Sequence, residues 1–183
     1  MILDIWRTAS PRRKRIYSMI AIFVLALIIT VAGSLVPLDA QEASQISEDL
    51  DQTVASLGEE GALTQFIFGN NLIICLIMFV PVIGPVLGFY ALFNTGIVVG
   101  AIAAAEGYPL ALVFFSLFLT PVFWLEFIAY SIAIAESVWL FRRLLQGWPR
   151  GWRELKAAGF LVSVCAVVLL VGAIVEVVLI SLG

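Results

Sequence analysis

The 183-residue chain is 62% hydrophobic and 13% charged, with a mean hydropathy of +1.10, a formal net charge of -3 and no histidine. Soluble domains average roughly 45–50% apolar and about 25% charged residues, so a water-soluble fold is excluded. The lack of His removes imidazole-dependent catalysis, and ten basic residues confined to two short clusters leave nucleic-acid binding without support.

Those clusters organise the whole reading. Arg7, Arg12, Arg13, Lys14 and Arg15 form the first, and Arg142, Arg143, Arg150, Arg153 and Lys156 the second; no basic residue lies between Arg15 and Arg142. Basic residues mark cytoplasmic segments, so the chain crosses the membrane an even number of times between them. Asp39, Glu42, Glu48, Asp49, Asp51, Glu59 and Glu60 crowd a single stretch without basic residues, which reads as the outside loop.

In chain order, Met1, Ile2, Leu3, Ile5 and Trp6 form an apolar patch suited either to the cytoplasmic interface or to a tail. The first span is expected at about 16–36, too long for the apolar region of a cleavable signal, and it ends at Pro37. In the outer loop, 38–62, Ile46, Leu50, Val54 and Leu57 recur at helical spacing, predicting an amphipathic helix with Glu48, Asp49 and Asp51 turned to water. A second span, about 65–80, is broken by Pro81 and Pro85, whose spacing leaves room only for a tight hairpin. The third span is expected at about 86–104.

From Leu110 to Phe141 the chain is apolar for longer than the roughly 17–25 residues a crossing needs. Either a half-helix, 110–119, breaks at Thr120 and Pro121 before a span at about 122–141, or one strongly tilted helix covers both. With a half-helix re-entering from outside, four crossings separate the basic clusters. A cytoplasmic linker, 142–156, then carries Trp148 and Trp152, and a fifth span at about 157–182 leaves the C-terminus outside. The expected fold is therefore an all-α integral membrane protein, forming one domain.

Carboxylates at membrane depth are costly and become functional candidates for that reason. Glu126, Glu136 and Glu176 qualify, and none is expected to have a basic partner within the membrane, because Lys and Arg are confined to the two clusters. Glu126, Tyr130 and Ser137 draw a polar stripe down the fourth span, and Asn70, Asn71 and Asn94, with Thr95, supply partners from the second and third. The cluster is either a buried network that fixes packing or a path for protons or cations. Glu136 is expected near the cytoplasmic interface and Glu176 near the outer end of the last span, which makes both weaker candidates than Glu126. Gly96 and Gly100, like Gly84 and Gly88, are small residues four apart, serving close packing within the chain or a homodimer seam. Cys75 and Cys165 read as buried apolar groups rather than a disulfide. Nothing points to a metal or cofactor.

The acidic outer loop, the second span entered through Phe66, Ile67, Phe68, Gly69 and Asn70, and the third span with Asn94, Thr95, Gly96 and Gly100 resemble the stage II sporulation protein M family. That family typically carries a Pro-His-Gly-x-x-Glu motif followed by Ala at the start of a late span. Pro121, Glu126 and Ala129 match it, whereas Val122 and Phe123 stand where the family has His and Gly. The resemblance implies a non-enzymatic membrane scaffold or assembly subunit in the cell membrane. Its partners would be other membrane or envelope proteins, met through the outer loop and the basic cytoplasmic segments, besides lipid. A small permease or dimerising half-transporter using Glu126 is the alternative.

Overall fold

The computed structural model describes residues 8–57 and 60–182, with side chains there except those of Pro11, Glu60 and residues 148–153. The apolar patch at residues 1–6 lies outside the described residues, as do the side chains of Trp148 and Trp152. Among the described residues there are seven helices and no strand: α1 Pro11–Ser34, α2 Ala40–Leu57, α3 Glu60–Met78, α4 Ile83–Glu106, α5 Leu110–Leu119, α6 Pro121–Leu144 and α7 Trp148–Leu182. Five of them (α1, α3, α4, α6 and α7) are long and apolar enough to cross a membrane.

Helix α6 forms the centre. Two thirds (67%) of its membrane-depth residues are buried, against 17–33% in the other four spans. Its small residues explain this, since Ala129, Ala133 and Ser137 repeat every four positions and let neighbouring helices approach; Ala133 and Ser137 are wholly enclosed. Elsewhere the large apolar side chains face outward, among them Ile20, Ile28, Val86, Phe160 and Val167. In water such a surface would aggregate, whereas in lipid it is the matched solvent.

Helices α1 and α4 pack parallel and backbone to backbone. A Cβ placed on Gly96 would lie 2.0 Å from the Thr30 carbonyl oxygen, and one on Gly100 would lie 2.7 Å from that of Ser34. The Gly96/Gly100 pair is therefore occupied by α1 of the same chain, which removes it as a homodimer seam. Gly33 meets the Phe93 carbonyl in the same way.

Between α3 and α4 the chain reverses in four residues. Val82 adopts φ 71° and ψ -55°, with the Ile83 N–H donating to the Pro81 carbonyl at 2.8 Å, the left-handed form of a γ-turn and a strained one. Pro81 lies in this turn as expected. Pro85 does not break a helix: it sits in the first turn of α4, where its missing N–H would have had no helical acceptor.

The acidic segment is helical, and its start is fixed by a reciprocal cap. Glu42 N–H donates to Asp39 Oδ1 at 2.8 Å, and Asp39 N–H to Glu42 Oε2 at 3.2 Å. Ala43 is buried and Ile46, Val54 and Leu57 half-buried, whereas Leu50 of the predicted stripe is exposed, as are Glu48, Asp49 and Asp51. The stripe rests mainly on α4.

The stretch 110–141 is a broken pair rather than one tilted helix, with Thr120 extended between α5 and α6. The linker expected at 142–156 shrinks to residues 145–147, because α6 continues to Leu144 and α7 begins at Trp148. Helix α7 is 35 residues, roughly 52 Å at 1.5 Å per residue, longer than the roughly 30 Å hydrocarbon core. Its basic first turns project beyond the span. Cys75 and Cys165 are free and buried where α3 meets α7, and the Cys165 thiol donates to the Ala129 carbonyl of α6 at 3.6 Å.

Candidate intramembrane polar site

The site is built around the break before Pro121. Ending α5 strands carbonyl oxygens in an apolar setting, and each needs a donor. The Thr120 hydroxyl donates to the Leu117 carbonyl at 2.7 Å, and Trp124 Nε1–H to that of Phe118 at 2.9 Å. Rings then hold the corner: Phe123 stacks on Phe127 at 4.2 Å between centroids, Phe118 meets Phe123 edge-on at 4.9 Å, and Phe23 of α1 stacks on Trp124 at 6.0 Å. The sequence marks the break through Pro121; the Trp124 indole that closes it carries no sequence signal of that role.

One turn into α6, Asn71 of α3 donates Nδ2–H to Glu126 Oε1 at 2.5 Å. Tyr130 follows one turn later and is buried. Two cavities of about 370 Å³ flank Glu126. The first reaches Thr30, Phe114, Leu117 and Thr120, toward the helix break; the second runs between α3 and α4, past Asn70, Asn71 and Tyr130. Thr95, Glu126, Phe127 and Glu176 line both, so these four side chains form the wall between them.

The structure brings together five of the expected side chains (Glu126, Tyr130, Asn70, Asn71 and Thr95) and adds Glu176, which the sequence marks only as a weaker candidate near the outer end of its span. Two expected members are elsewhere. Asn94 donates Nδ2–H to the Tyr90 carbonyl of its own helix at 3.0 Å, because Gly96 and Gly100 orient α4 toward α1 and leave Asn94 off the cavity wall. Ser137 donates to the Val80 carbonyl at 2.7 Å, securing the tight hairpin roughly 16 Å along α6 from Glu126.

Glu136 belongs to a second polar centre. It is fully buried, with Arg15 Nη2 of α1 at 3.5 Å, and the same guanidinium also pairs with Glu154 of α7. Arg15, Arg142 and Arg143 each hold their guanidinium carbon 5.7–5.9 Å from the Trp139 ring centroid, a cation–π distance. The expectation that no intramembrane carboxylate has a basic partner is therefore corrected for Glu136: Arg15, 121 positions away in sequence, reaches it.

A family model described as stage II sporulation protein M matches residues 19–179, nearly the whole chain. No curated protein and no solved structure matches it.

Proposed function

The chain belongs to the stage II sporulation protein M family, and on that premise we propose that it is a non-enzymatic, multi-pass subunit that gathers partner proteins at the cell membrane. The observation that carries this reading is α2. This helix is capped at its start and seated on α4, and it turns Glu48, Asp49 and Asp51 outward. No basic residue between Arg15 and Arg142 neutralises that face. A fixed acidic ridge suits a partner with a basic surface, because complementary charge sets approach and register.

In this reading the N-terminus is cytoplasmic and the C-terminus lies outside. Support comes from Arg15, Glu154, Arg142 and Arg143 meeting at one end of the bundle, which agrees with two basic segments on one side. Helix α5, with 10 residues and roughly 15 Å of length, fits a re-entrant half-helix entering from the opposite side.

The test is charge reversal of the ridge. Carrying Glu48→Lys, Asp49→Lys and Asp51→Lys together, the protein should reach normal membrane levels yet lose its co-purifying proteins from native membrane. An unchanged set of companions would sink the scaffold reading.

A second reading, a small permease or half-transporter, is favoured by the two cavities meeting at Glu126 and Glu176 beside a broken helix, an arrangement used to build transport sites. Glu126→Gln separates the readings: a scaffold keeps its partners, whereas a permease loses flux.

A further inference from the structure

The cavity between α3 and α4 holds an imbalance of charge. Glu126 and Glu176 both line it, and the nearest basic residues in sequence are Arg142 and Lys156, in the cluster at the far end of the bundle. Arg15 is already committed there to Glu136 and Glu154. Two carboxylates at membrane depth are costly without a counter-charge, and Asn71 supplies only one neutral hydrogen bond.

Tyr130 is an independent sign of a ligand. It is 7% exposed and lines the cavity, yet its hydroxyl has no hydrogen-bond partner among the described residues. That hydroxyl is not one of the sealed, partnerless atoms of the bundle, so it opens on the cavity space and offers an occupant a hydrogen bond. Tyr130 and Phe127 also put aromatic rings in the wall that holds the carboxylates, the residue type that attracts an ammonium centre.

Donor count and wall chemistry narrow the class. Among the described residues, no three His, Cys, Asp or Glu side chains come together, whereas calcium takes six to eight oxygens and magnesium a full octahedron. Most of the remaining wall is apolar, with Phe66, Ile67, Ile74 and Leu92 contributing, and a cavity of about 370 Å³ is in the range of small-molecule sites. We propose that this cavity binds a lipophilic organic ammonium ion, its cationic centre between Glu126 and Glu176 and its apolar body along α3 and α4. The proposal rests on the permease reading and names its ligand class.

Calorimetry on the full chain in nanodiscs tests it, with benzyltrimethylammonium as probe and neopentylbenzene, its uncharged isostere, as control. Saturable binding of the cation alone is expected, weakened at least tenfold by Glu126→Gln and by Glu176→Gln in samples whose melting temperature shows an intact fold. If one variant fails to fold, the other decides. Equal binding of both probes, or full binding by the folded variants, overturns the proposal. In liposomes, cation binding without flux would remove the permease reading and leave the site. Glu126-dependent flux of a neutral solute with no cation binding would do the reverse.

Discussion

Glu126 and Glu136 stand on the same helix, roughly 15 Å apart along its axis, and the bundle treats them differently. Glu136 is wholly enclosed, with Arg15 at 3.5 Å and that guanidinium shared with Glu154. Glu126 has an amide for a partner, a second carboxylate for a neighbour and a cavity on either side. Where the protein supplies the counter-charge, the carboxylate ties three helices together. Where it leaves space instead, the carboxylate is available to something that arrives from outside the chain.

The comparison breaks most visibly at Arg15. Replacing it in Arg15→Ala leaves Glu136 buried without its cation, and removal of one partner of such a pair costs on the order of 3 kcal/mol. Unfolding of the purified protein in mixed micelles should show that loss, with Arg15→Ala/Glu136→Gln recovering most of it. An unchanged unfolding midpoint in Arg15→Ala would mean the pair contributes nothing. At the other centre the effects are smaller. Asn71→Ala removes one interhelical hydrogen bond, worth roughly 0.6–1.7 kcal/mol in a bilayer, and a loss near that measured for Arg15→Ala would contradict the contrast. Smallest of all is Glu126→Gln: the amide oxygen still accepts from Asn71, so the same unfolding assay should move by less than about 0.5 kcal/mol. A large destabilisation there would make Glu126 a packing residue like Glu136.

Much of this was legible in the sequence because lipid leaves so few options. Helices must satisfy their own backbones, so hydropathy alone placed five spans, and Pro121 placed the break between α5 and α6. Periodicity gave the direction in which Glu126 and Tyr130 point and a set of four possible partners, of which Asn71 makes the hydrogen bond. Direction, however, carries no information about depth or neighbour. Ser137 shares a heading with Glu126 but lies level with the hairpin, where Val80 takes its hydrogen. Asn94 was separated from the cavity by the glycine contact that sets the rotation of α4. The Arg15–Glu136 pair joins residues 121 positions apart, a closure that only the packing of α1 against α6 defines. Linker length misled for a different reason: charged residues at 142–156 read as loop, although helices extend readily past the lipid into water.

The reversal at Val82 bears on which motions the bundle allows. Four residues join α3 to α4, and the Pro81–Ile83 hydrogen bond leaves no slack in them. A tilt or shift of either helix at that end is therefore passed directly to the other, so the two respond as one lever. Adding a flexible polar segment after Val82 would uncouple the pair and let each helix move by itself.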